Sequence, residues 1–176
     1  AATLSFTYSA ANTDFFDTGG TRTLRLGGTN TGNNVFANQI IDQAGNATSL
    51  TKTGAGTWFV TNSASNYTGV TALEGGILNA SSLADYGVAS SVGARTAGQE
   101  VSTNIGFVFR GGTLQYTGAT PQSTNRQIRV QATTGGTIDA SGSVPAATLS
   151  FTYSAANTDF FDTGGTRTLR LGGTNT

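Results

Sequence analysis

The stretch AATLSFTYSAANTDFFDTGGTRTLRLGGTNT opens the chain as residues 1–31 and returns, without one change, as residues 146–176. Asp14, Asp17, Arg22 and Arg25 come back as Asp159, Asp162, Arg167 and Arg170, a period of 145 residues. Folding constraint alone would hold core positions and let surface positions drift. Identity at both points to duplication within a tandem array, the sequence signature of repeat architectures. Residues 1–145 are therefore expected to form one full unit and 146–176 the start of the next, in one continuous solenoid without separate domains.

Between the two copies, short segments alternate with period two. Leu4, Phe6 and Tyr8 share one face, as do Leu24 and Leu26, Trp58 and Val60, Phe107 and Phe109, Leu114 and Tyr116, and Ile128 and Val130. Such alternation is the mark of strands with one buried face. Glycine pairs punctuate them at Gly19-Gly20, Gly27-Gly28, Gly75-Gly76, Gly111-Gly112 and Gly135-Gly136. The best helical candidate, residues 81–95, is broken at Gly87 and Gly93. An antiparallel sandwich closes on itself and gains nothing from an identical repeat. A solenoid extends indefinitely, each coil covering the apolar face of the last. The expected fold is all-β, a parallel β-solenoid built from a tandem 145-residue repeat. With coils of about 20 residues, a unit would hold about six or seven, or roughly 30 Å of axis at about 4.8 Å per coil.

Composition agrees with a folded β protein. Of 176 residues 36% are hydrophobic and only 10% charged, with 25 Gly, 10 Phe and 2 Pro. Lys+Arg and Asp+Glu number 9 each, so no basic field exists to attract a phosphate backbone, and nucleic acid is not an expected partner. No apolar run reaches membrane-spanning length. The chain has no Cys, His or Met, which removes disulfides, thiol nucleophiles and the commonest general base.

The segment Leu50-Thr-Lys-Thr-Gly-Ala-Gly-Thr-Trp-Phe-Val60, followed by Asn62, Asn66-Tyr67-Thr68-Gly69, Thr71 and Gly75-Gly76-Ile77-Leu78, closely resembles the autotransporter-associated, or passenger-associated, β-strand repeat. Gly111–Gly118, Gly135–Gly142 and Arg22–Asn34 resemble further parts of the same long repeats. That resemblance implies a right-handed parallel β-helix in a secreted or cell-surface protein of a Gram-negative-type bacterium, with no catalytic set to carry over. It gives Lys52 a structural role. Asn30, Asn33, Asn34, Asn62 and Asn66 are expected to stack as amide ladders along a corner.

Chemistry is sparse. Asp14 and Asp17 are the one close carboxylate pair among the unique acidic residues and form a candidate calcium site, although the calcium nonapeptide pattern is absent. No catalytic, cofactor or metal residues are assigned, and no enzyme activity is expected. Strand parity places Phe59, Ile77 and Val108 outward, as a candidate surface for lateral self-association. The main functional expectation is a structural component of an extracellular fibre, filament or sheath, self-associating end to end or laterally. The alternatives are a surface adhesin or glycan-binding passenger and, third, a polysaccharide-active β-helix enzyme.

Overall fold

Strand alternation with glycine corners becomes, in the computed structural model, a coil of parallel strands; residues 2–8, 19–100, 105–154 and 165–174 are described. A five-stranded sheet contains β2 (Arg22–Leu26), β4 (Thr48–Lys52), β6 (Thr71–Leu73), β8 (Phe107–Phe109) and β11 (Ile128–Val130). A seven-stranded sheet runs in the order β1 (Ser5–Phe6), β3 (Asn34–Phe36), β5 (Thr57–Val60), β7 (Ile77–Ala80), β9 (Thr113–Tyr116), β12 (Gly136–Ala140) and β14 (Leu169–Gly172). On a third side β10 (Gln122–Thr124) pairs with β13 (Leu149–Phe151). From β1 to β13 the described strands follow one cyclic order, five-stranded sheet, seven-stranded sheet, third side, with strands on the third side at β10 and β13. The whole is all-β, with stacked parallel sheets, consistent with a parallel β-helix.

Parallel register turns sequence alternation into columns. Leu24, Leu50, Thr71, Phe107 and Ile128 stack in one inward column, and Leu26, Lys52, Leu73, Phe109 and Val130 in the next. Trp58, Leu78, Leu114 and Ile138 line the seven-stranded sheet. Leu50, Leu73, Leu78 and Leu114 are wholly buried. Each such side chain stabilises the fold by about 1.5–3 kcal/mol through burial alone.

The corner between the two large sheets needs glycine. Gly54 and Gly76 hold φ of +65° and +60°, the left-handed region that other residues enter only under strain. A Cβ on Gly76 would collide with the carbonyl oxygens of Gly56 and Gly54 on the turn below. Lys52 reaches this corner from its inward column and donates to the carbonyls of Thr53, Gly54 and Gly75 at 2.7, 2.9 and 3.0 Å. Trp58 donates its indole N–H to Gly27 O at 2.8 Å. The signature segment thus supplies the donors, one of them a cation, that satisfy the corner's carbonyls. Gly76→Ala is expected to lower stability by at least about 2 kcal/mol, read as a shift in the urea midpoint.

The turns of the coil are unequal in length. Trp58 pairs with Leu78 and Leu114 with Ile138 across short turns, whereas the turn from Leu78 to its partner Leu114 is far longer. Residues 81–100 belong to an insertion there, and irregular segments fill the third side of other turns. Residues 1–145 therefore make between five and six turns, not six or seven. The insertion holds no α-helix among its described residues. Its one regular piece is a 3-10 turn at Ala97–Gln99, where Gln99 Oε1 accepts from Thr96 N at 2.9 Å.

Candidate functional site

The inward columns are filled by buried side chains, mostly apolar, and the outward columns make up the wall. On the seven-stranded sheet one outward column runs Val35, Phe59, Asn79, Gln115 and Asp139. The adjacent column runs Thr57, Ile77, Thr113, Thr137 and Arg170. Phe59 and Ile77 are half-buried and lie on neighbouring turns. Val108 lies on the other large sheet, in the outward column Arg25, Thr51, Ala72, Val108 and Arg129. It is only 6% exposed, as are Thr51 and Ala72. Phe59 and Ile77 stand at diagonal positions of paired strands, Phe59 opposite Asn79 and Ile77 opposite Thr57, and Val108 lies on the other sheet. Gly98 and Gln99 of the insertion border the same cleft as Ser49 and Val70 on this side.

The expected ladder does not run through Asn30, Asn34 and Asn62. Asn34 Nδ2 donates to Thr57 O at 2.8 Å and Asn62 Nδ2 to Ala37 O at 3.1 Å, each spending its amide on backbone one turn away. Asn30 bonds the backbone of Ala2 and Gly32 and donates to Asn34 Oδ1 at 3.5 Å, a contact within one turn and not from turn to turn. Irregular backbone beside these residues offers carbonyls that no ladder satisfies, and these claim the amides first. A polar ladder does exist elsewhere: Asn79 donates to Gln115 Oε1 at 3.0 Å and Gln115 to Asp139 Oδ2 at 2.8 Å. It sits on the outer wall directly beyond Phe59. Sequence spacing hid it, because the three residues come from different parts of the repeat.

The insertion is fastened by buried charge. Arg126, 2% exposed, donates to the carbonyls of Val92, Val88 and Gly93 at 2.9, 2.9 and 2.6 Å. Its guanidinium lies 5.8 Å from the Phe107 ring centroid. Arg95 and Glu100 pair at 3.3 Å with side chains 4% and 6% exposed. Burial pushes the Glu100 carboxyl up against the opposing pull of Arg95. Glu100 also accepts from Gly106 N at 2.7 Å, and Arg95 donates to Thr68 O at 2.8 Å. Nothing in the local sequence around Arg95, Glu100 or Arg126 marks them as partners of one loop.

Among the described residues no group of three or more His, Cys, Asp or Glu is placed to hold a metal ion. Asp14 and Asp17 lie outside the described residues. No helix among the described residues is long and apolar enough to cross a membrane. A polar cleft of about 430 Å³ lies between Thr133, Thr134, Thr137, Thr166, Thr168 and Arg170. Its lining is hydroxyls and one exposed guanidinium, with no aromatic platform.

Over 128 residues the chain is 40% identical to the adhesin BmaC autotransporter of Brucella suis biovar 1 (strain 1330). The chain is homologous to part of an autotransporter adhesin. The match covers 71% of this chain and 3% of that protein, so the chain corresponds to a small section of a far longer polypeptide. This homology agrees with the passenger-associated repeat read at Leu50–Leu78. No family model matches the chain, and no solved structure matches it.

Burial of lysine and tyrosine side chains should make the stability of this coil depend on pH in the alkaline range. Burial pushes the Lys52 ammonium down to about 8 from its ordinary 10.5. The unfolded chain then binds more protons between those values, and stability rises with pH across that window. Burial pushes the Tyr86 hydroxyl up to about 12 from 10.0, and it raises Tyr67 in the same direction. Folding then holds protons the unfolded chain releases, so stability falls as pH climbs from 10 to 12. Urea midpoints measured from pH 7 to 12 are expected to rise and then fall; a flat profile would contradict both assignments.

Proposed function

We propose that this chain is a section of the β-helical wall of a secreted, surface-displayed adhesin of a Gram-negative-type bacterium. The observation that carries the reading is the 40% identity over 71% of the chain to an autotransporter adhesin. Among the described residues the inward columns of this coil are packed with buried side chains. What it offers a partner is length and an outer wall of Thr, Asn and Gln side chains, suited to hydroxyl-rich ligands such as surface glycans. No catalytic constellation takes part in this role. Antibodies raised against the chain are expected to label intact cells of its source and to reduce their attachment to glycan-coated surfaces. Labelling only after permeabilisation would overturn surface display. Undiminished attachment by labelled cells would overturn the adhesive role.

A structural fibre is the second reading, favoured by the unchanged return of residues 1–31 at 146–176. A tandem chain of 145-residue units would continue the coil and self-associate end to end. Lateral bundling through Phe59, Ile77 and Val108 belongs to this reading. With Val108 buried, Phe59 and Ile77 carry the lateral surface. Electron microscopy of cell-surface extracts would show thin filaments in this case.

A further inference from the structure

The two identical copies do not occupy the same sides of the coil. Ser5–Phe6 of the first copy pairs with β3 in the seven-stranded sheet, whereas Leu149–Phe151, the second copy's Leu4–Phe6, pairs with β10 on the third side. Leu24–Leu26 of the first copy pairs with β4 in the five-stranded sheet. Its counterpart Leu169–Leu171 pairs with β12 in the seven-stranded sheet. Both strands have advanced by one side in the direction the chain travels. From β1 the seven-stranded sheet is revisited at β3, β5, β7, β9 and β12, which is five full turns, and β13 is one side further.

Chain length enforces this phase. Even the short turn from Trp58 to its register partner Leu78 uses more chain than lies between Ile138 and Phe151. The Ile138–Phe151 span is enough to reach the next side and too short to return to the seven-stranded sheet. Side-chain chemistry favours the shift as well. A copy held in phase would bring Arg170 onto the five-stranded sheet beside Arg129, as a like-charged neighbour in the outward column, which is destabilising. In the shifted phase Arg170 lies beside Thr137, and Leu171 continues the inward column of Ile138. The edges also match: the β13 edge facing away from β10 is the same sequence that β3 covers in the first copy.

We infer that in a tandem array each 145-residue unit advances five turns and one side, so that successive units are joined with a rotation of about a third of a turn and a rise of about 26 Å at about 4.8 Å per turn. The inference rests on the tandem continuation of the second reading above. Its consequence concerns what the wall presents. The Phe59–Ile77 pair and the Asn79–Gln115–Asp139 ladder return to a given side of the fibre only every third unit, about 77 Å apart at that spacing. Any ligand or sister fibre therefore meets them along a helical path around the axis, not in a line along one flank. A multivalent glycan contact fits such a display, whereas zipper-like bundling by every unit does not.

The chain lacks cysteine, so paired cysteines report the phase directly in the full chain. Neighbouring parallel strands bring register partners within disulfide range. Thr23→Cys with Ser49→Cys, outward partners in the first copy, serves as the control pair. On oxidation Thr137→Cys with Arg170→Cys is expected to cross-link to the same extent as the control, and Arg129→Cys with Arg170→Cys to at most a tenth of it, by mass spectrometry. Cross-linking of the Arg129 pair, or of neither pair while the control closes, overturns the inference. Either outcome leaves the adhesive role, which is judged by antibody labelling and attachment, unaffected.

Discussion

Leu78→Ala is expected to destabilise the fold by about 3–5 kcal/mol, measured as a fall in the urea midpoint with an unchanged slope. Leu78 is wholly buried, with Trp58 below it and Leu114 above. Those neighbours belong to backbone fixed by ladders on both sides, so the void cannot collapse readily. Loss of the transferred methyl groups and a residual cavity add together, which places the cost at the upper end for a leucine. An outward-facing site in the same strand makes the internal comparison. Asn79 lies next to it with its amide in the outer ladder, and Asn79→Ala should cost about 1 kcal/mol, the net worth of one or two hydrogen bonds.

Arg126→Ala should have a comparable effect by a different physical route. The side chain satisfies carbonyls of Val88, Val92 and Gly93, which belong to an insertion with few apolar anchors of its own. Burial lowers the pKa of the guanidinium, but the charged form persists because several carbonyls and the Phe107 ring face it. Removal leaves those acceptors buried and unpaired, at about 3–5 kcal/mol for a group of this kind. The insertion should then open while the two large sheets remain. Limited proteolysis is expected to cut the variant within residues 81–100 at least tenfold faster than the parent chain. Arg126→Lys, which keeps charge and loses the planar fork, should recover only part of the protection.

The inward columns were legible because period two is a local property: Trp58 and Val60, or Phe107 and Phe109, reveal their face without knowing their partners. The corners were legible as glycine clusters, although which glycine takes positive φ was not: Gly54 and Gly76 do, and Gly56 and Gly75 do not. What could not be read was anything set by the length of each turn. A uniform rung fits the step from Trp58 to Leu78 and fails from Leu78 to Leu114, where the insertion intervenes. That miscount hid the ladder from Asn79 to Asp139 and the phase of the second copy. Residue type alone suggests amide ladders for Asn30, Asn33, Asn34, Asn62 and Asn66, but it does not show the backbone carbonyls that claim the amides of Asn34 and Asn62. For Val108, parity gave the direction of the side chain, but burial depends on what packs above the sheet. Arg126 gave no signal, since its acceptors lie 33 to 41 residues away.

One chain coils through parallel strands in the register Trp58, Leu78, Leu114, Ile138. Nuclear Overhauser contacts in the isotopically labelled chain test it most directly. Parallel coiling predicts methyl contacts from Leu78 to Leu114 and from Leu114 to Ile138, with amide-to-Hα contacts between their strands. Close Hα–Hα contacts between any of these strands, the mark of antiparallel pairing with Cα atoms about 4.5 Å apart, would contradict it.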